Sequence, residues 1–172
     1  MHEWQLLLKG IAKKSLDIVV LEEEKEIVII SGDARLKDEA GRLLGKKKPG
    51  FSVALVGAGQ LLSKKVMQKL LEGYSLKANA PFSSVLGMRK KVLVAYSLSN
   101  LSHSQKTIFG YALRGRENET GILGRLKGET AGRNCLLVPE ENFGKAIEFF
   151  AFWKVKYSAK TIFEKEGSRK DG

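Results

Sequence analysis

PEENFGKAIEFFAFW, residues 139–153, is the stretch on which the fold turns. Glu140 and Glu141 follow Pro139 and place negative charge in a first helical turn, where it suits the helix dipole. Phe143, Ala146, Ile147, Phe150 and Trp153 then recur at i, i+3, i+4, i+7 and i+10, which makes one apolar stripe and predicts a core helix over Glu140–Trp153. Phe149 and Phe152 fall beside that stripe and widen it beyond one sheet contact. An arc of that width predicts a second buried side, met either by a homodimer through Phe149 and Phe152 or by the segment around Trp4, Leu6, Leu7 and Leu8 folding back.

Outward from this helix, Cys135–Val138 reads as an apolar strand before it and Tyr157–Phe163 as a strand after it. Further upstream come a short helix around Ile122–Leu126, a strand Thr107–Leu113 and a polar loop Ser99–Lys106. A strand Val92–Leu98, opened by Arg89-Lys90-Lys91, precedes that loop. The order β-β-α-β-α-β predicts a split-βαβ, ferredoxin-like two-layer sandwich over residues 88–164. Residues 165–172 are charged and glycine-containing and read as a flexible tail.

Residues 1–80 read as a separate α/β half. Leu16–Leu21 and Ile27–Ile30 are β-branched runs separated by Glu22-Glu23-Glu24-Lys25-Glu26, a hairpin with a charged connection. Asp33 is placed to cap a helix carrying Leu36, Ala40, Leu43 and Leu44, which Gly45 and Lys46-Lys47-Lys48-Pro49-Gly50 stop. A short strand Phe51–Val56 turns through Gly57-Ala58-Gly59 into a helix from Gln60 to Glu72. Ala78–Gly87, small and turn-rich, is the expected link between halves. The fold class is therefore α+β, with two small βα-rich halves.

Charge carries the functional reading. The chain has 30 lysines and arginines against 19 acidic residues, formally +11. Residues 42–133 hold 17 basic and four acidic side chains, net +13, while the flanking segments are net −3 and +1. A contiguous basic block neutralises phosphates and releases condensed counterions, the main affinity term for nucleic acid. A single cysteine, Cys135, forms no internal disulfide, the longest apolar stretch is too short for a bilayer, and the first residues lack a signal-peptide pattern. These predict a cytoplasmic protein with no membrane association.

Three groups of residues are candidates for phosphate contact. Gly57 and Gly59 lead to a helix whose Lys64, Lys65 and Lys69 project away from Leu62, Val66, Met67, Leu70 and Leu71. The strand–glycine–basic-helix order faintly resembles that unit in the archaeal Alba chromatin proteins, over this short stretch alone. It matches neither the dinucleotide-binding glycine pattern nor a P-loop. Arg114, Arg116, Arg125 and Arg133 sit at glycine turns, where a planar guanidinium binds phosphate in bidentate fashion and glycine admits close backbone approach. Phe109 and Tyr111, read on one strand face beside them, are either core or base-stacking aromatics. Lys46, Lys47, Lys48, Arg89, Lys90, Lys91 and Lys106 complete the expected basic surface.

Catalytic groups are sparse. Two histidines cannot make a histidine metal cluster, and Cys135 opens an apolar strand. Asp17, Glu23 and Lys25 give the carboxylate–carboxylate–lysine skeleton of a nuclease superfamily, although Glu22–Glu26 also reads as a solvated hairpin tip. The expectation is a DNA- or RNA-binding protein without cofactor, metal or catalysis. The alternatives are a metal-dependent nuclease or other nucleic-acid-processing subunit, and a ribonucleoprotein assembly protein.

Overall fold

The computed structural model describes residues 2–116 and 119–167. It is mixed α and β, and it divides into two compact units between Met88 and Arg89. The segment read as a link, Ala78–Gly87, belongs to the first unit and carries a strand and a helical turn. Buried Phe82 anchors it there.

The first unit runs α1 (His2–Lys14), β1 (Asp17–Leu21), β2 (Glu26–Ile30), α2 (Arg35–Lys47) and β3 (Ser52–Val56). A 3₁₀ turn (Ala58–Leu62), α3 (Lys64–Leu71), β4 (Tyr74–Ser75), β5 (Ala80–Pro81) and α4 (Phe82–Val85) follow. Its sheet has the order β3-β2-β1-β4-β5. β1 and β2 pair antiparallel, with Asp17 opposite Ile30 and Leu21 opposite Glu26. β2 and β3 pair in parallel across the α2 crossover.

The sheet is covered on both faces, which is why β1 and β2 read as unbroken apolar runs rather than alternating ones. Ile18, Val20, Ile27 and Ile29 meet Leu8 and Ile11 of α1 and Leu36, Ala40 and Leu44 of α2. Val19, Leu21, Val28 and Ile30 meet Val56, Leu70 and Phe82 on the other side. Each of these fully buried aliphatic side chains contributes about 1.5–3 kcal/mol. Trp4 and Leu8 are thus part of this unit's own core, with the Trp4 ring 4.7 Å from that of Phe51.

The second unit runs β6 (Met88–Ser97), α5 (His103–Arg114), β7 (Gly115–Arg116), β8 (Glu119–Thr120), α6 (Ile122–Arg125), β9 (Glu129–Gly132) and β10 (Cys135–Pro139). A 3₁₀ turn (Glu140–Asn142), α7 (Phe143–Phe152) and β11 (Lys156–Lys165) complete it. β11-β6-β10-β9 form a four-stranded sheet, and β7 and β8 a separate two-stranded ribbon. The tail expected over 165–172 lies outside the described residues from 168 onward.

Thr107–Leu113, read as a strand, is helical. Ser102 caps α5: its Oγ accepts from the Gln105 N–H, and the Gln105 side chain accepts from the Ser102 N–H. This reciprocal pair satisfies two donors that a helix start otherwise leaves free. Phe109 and Leu113, one turn apart, enter the core, while Tyr111 points outward at 46% exposure. Phe109 lies 5.6 Å from Tyr96, 5.3 Å from Phe149 and 5.6 Å from Trp153, so it joins the sheet, α5 and α7. Phe149 is therefore a half-buried packing residue. Phe152 remains 80% exposed.

Candidate nucleic-acid interface

The lysines of the first unit fall into separate groups. Lys46–Lys48 end α2 and precede β3, whereas Lys64 and Lys65 begin α3 beyond the end of β3. A five-residue strand is about 16 Å long, so these groups occupy opposite ends of the sheet. Lys48 pairs with Glu3 at 2.8 Å and covers the Trp4 ring, and Lys69 pairs with Glu26. Lys46, Lys47, Lys64 and Lys65 are exposed and form no ion pair among the described residues.

The helix expected from Gln60 breaks at Ser63. Leu62 consequently stands in the 3₁₀ turn at 91% exposure instead of on an apolar helix face. The Gly57 N–H donates to Gln60 Oε1 at 2.9 Å and is engaged within the chain. Neither Gly57 nor Gly59 adopts a left-handed conformation. A Cβ at Gly59 meets nothing within 4 Å, and one at Gly57 meets only Gln60 Oε1 at 3.9 Å. Gly57→Ala and Gly59→Ala are therefore expected to keep or slightly raise stability, by up to about 1 kcal/mol, in thermal melts. A fall in affinity without loss of stability would mark the turn as a contact.

Arg89, Lys90 and Lys91 are already matched by carboxylates. Arg89 pairs with Glu166, and Lys90 with Glu140 at 2.6 Å. Lys91 bridges Glu129 and Glu164, both at 2.5 Å, from β6 to β9 on one side and β11 on the other. Hydrogen bonds to Glu129 and then Glu164 hold the Lys91 ammonium above the ordinary lysine range. These three cations tie the sheet together. Lys91→Ala leaves two carboxylates facing one another and is expected to cost about 1 kcal/mol in denaturant unfolding. Its effect on nucleic-acid affinity should be small by comparison.

The cations at the end of α5 are arranged differently. Arg114 closes that helix, Arg116 lies on β7, Arg125 ends α6, and Lys127 follows it in a left-handed conformation with φ 52°. All four are exposed. Arg114, Arg125 and Lys127 form no ion pair among the described residues. The Arg116 guanidinium lies 5.2 Å from the centre of the exposed Tyr111 ring. Lys127 was not anticipated from the sequence. Lys106, in the first turns of α5, and Arg133, in the β9–β10 turn, lie toward the other end of this unit. The twelve residues of α5 extend about 18 Å.

Glycine packing holds this cluster in place. Gly115 has φ +98°, and a Cβ there would stand 2.0 Å from the Glu119 carbonyl oxygen. A Cβ on Gly121 would stand 2.3 Å from the Gly115 nitrogen and 2.5 Å from the Leu113 carbonyl oxygen. Gly115, between Arg114 and Arg116, is thus consumed by internal contact, whereas a Cβ on Gly132, beside Arg133, would meet only the Cys135 Cβ at 4.0 Å. The consequence is a close fit: Gly115 and Gly121 bring β8 and the residue before α6 against the start of β7 and the end of α5.

The nuclease skeleton does not assemble. Asp17 is opposite Ile30 at one end of the β1–β2 hairpin, while Glu23 and Lys25 lie at its far end. The Asp17 carboxylate accepts from the Ser75 hydroxyl at 2.7 Å and the Ile18 N–H at 2.7 Å, a structural role. Among the described residues no three His, Cys, Asp or Glu side chains are placed to hold a metal ion. His103 is exposed in the first turn of α5, and Cys135 is half-buried at the start of β10. No described helix is long and apolar enough to cross a membrane. Comparison with protein-family models, curated proteins and solved structures finds nothing that matches this chain.

Proposed function

We propose that the chain binds nucleic acid through its phosphate backbone, without catalysis, and that the arginine cluster at the end of α5 is the principal contact. One observation carries this reading: Arg114, Arg116, Arg125 and Lys127 stand exposed around one glycine-packed ribbon, within the block of net charge +13. The planar guanidinium fork loses little entropy for each hydrogen bond it makes to phosphate. Tyr111 beside Arg116 offers a flat surface on which an unpaired base can stack, which favours a single-stranded or looped substrate over a regular duplex. Lys64 and Lys65 add a second, weaker electrostatic contact.

The second unit's order supports a split-βαβ, ferredoxin-like reading. Strand β6, helix α5, strands β9 and β10, helix α7 and strand β11 follow one another, with the ribbon and α6 inserted after α5. On that reading Arg116, Arg125 and Lys127 belong to an insertion mounted on a common scaffold, beside Arg114 at the end of the scaffold helix α5.

The test is a fluorescence titration of the full chain against single- and double-stranded DNA and RNA of equal length. Binding to at least one is expected, with the single-stranded forms preferred. Absence of binding to all four at low salt would refute the proposal.

A further inference from the structure

Among the described residues the five- and four-stranded sheets have four edge strands, and three of them are protected. β5 is two residues long and includes Pro81. β9 is wholly exposed and carries Glu129, and its pairing with β10 is interrupted by a register shift at Cys135/Leu136. β11 carries Lys156, Lys160, Glu164 and Lys165. Short length, proline, irregularity and charge are the devices by which proteins keep an edge from pairing with another chain. β3 has none of them. Its five residues, Ser-Val-Ala-Leu-Val, are uncharged and regular, and they include no proline.

Hydrogen-bond direction shows what this edge presents. The Ser52 N–H donates to the Lys25 carbonyl at 2.9 Å, and the Val56 carbonyl accepts from the Ser31 N–H at 3.0 Å. Ser52, Ala54 and Val56 therefore turn their backbone groups toward β2. In an extended strand the residues between them turn theirs the other way. The N–H and C=O of Val53 and of Leu55 point out of the sheet, four groups in a row for a strand to meet.

The flank of this edge is a groove lined by Lys37, Asp38, Gly41, Arg42, Phe51 and Val53. Phe51 and Val53 form an apolar floor. Arg42 directs its Nε to the Asp38 carbonyl oxygen, at 3.4 Å. A Cβ at Gly41 would meet nothing within 4 Å, so packing inside the chain does not require the glycine, and its absent side chain leaves space beside β3.

We propose that β3 is a docking edge for an extended acidic segment of another protein, which adds a strand beside Val53 and Leu55 and sets its carboxylates against Lys37 and Arg42. Main-chain bonds supply affinity in such strand addition, and alternate side chains supply selectivity. A second copy of this chain is disfavoured as the occupant. Two-fold pairing of β3 with itself would bring together two flanks that each set Lys37 and Arg42 against the single carboxylate of Asp38, a net positive charge on both. The site is independent of the arginine cluster, so it stands or falls separately from nucleic-acid binding.

The probe is a short, end-blocked, labelled peptide alternating glutamate and valine, titrated into the full chain with amide exchange followed at Val53 and Leu55. Binding is expected to slow exchange at both amides. Val53→Pro removes one outward donor while leaving the bonds to β2 intact, and it is tolerated at an edge. It should weaken the peptide at least about tenfold and leave nucleic-acid affinity unchanged. Lys37→Glu with Arg42→Glu should weaken it similarly, with the strand untouched. Unchanged exchange at Val53 and Leu55, or wild-type peptide affinity in a folded Val53→Pro chain, would overturn the proposal. So would equal binding of a lysine–valine peptide, or protection of the two amides by rising protein concentration alone, which would assign the edge to a second copy.

Discussion

Gly115→Ala is expected to destabilise the second unit by about 2–5 kcal/mol, enough to lower its unfolding temperature markedly. Two independent penalties combine. The φ of +98° is costly for any residue with a Cβ, about 1–2 kcal/mol. The new methyl would also stand 2.0 Å from the Glu119 carbonyl oxygen, which is backbone and cannot rotate aside. Overpacking of this kind costs about 1–3 kcal/mol. Gly121→Ala shares the second penalty, since its Cβ would meet three backbone atoms at 2.3 to 2.5 Å. Calorimetry of both variants should show a lowered transition for the second unit, larger for Gly115→Ala. A variant melting like the wild type would contradict the packing described for the ribbon.

Replacing Arg114, Arg125 and Lys127 together by serine is expected to reduce nucleic-acid affinity roughly 10- to 100-fold, at about 0.5–1 kcal/mol for each exposed ionic contact. All three side chains are exposed, so the fold should survive and circular dichroism should be unchanged. Tyr111→Ala should add a loss confined to single-stranded ligands, since stacking contributes about 1–3 kcal/mol per base. Replacing Lys46 and Lys47, at one end of the first unit's sheet, should do much less. If the two sets of replacements had equal effects, binding would follow net charge alone and the cluster would have no special standing.

How much of this could be read in advance depended on the kind of interaction. β1 and β2 were legible because strands buried on both faces leave unbroken apolar runs. α5 was misread because Thr107, Phe109, Tyr111 and Leu113 alternate and favour strands, although Ser102 and Gln105 carried the capping signal three residues apart. α1 was left unassigned although Trp4, Leu8 and Ile11 recur at helical spacing. β9 gave no pattern at all, since every one of its side chains is exposed. Among the candidate contacts, the arginines were visible as charges, but their neutralisation was not. Arg89, Lys90 and Lys91 meet Glu166, Glu140, Glu129 and Glu164, partners that only the strand order brings near. The glycines divide the same way: Gly59 stands in open space and Gly115 against a carbonyl oxygen, a difference that residue type alone cannot convey.

The most direct test of the account is the salt dependence of affinity for the preferred single strand, measured between about 50 and 200 mM monovalent salt. Four phosphate contacts from the arginine cluster predict a log–log slope near −3, at about 0.7 per contact for single strands, or roughly a fiftyfold loss over that range. The Arg114, Arg125 and Lys127 replacement should flatten it by about two units. A wild-type affinity that does not change with salt, or a slope that the replacement leaves as steep as before, would contradict it.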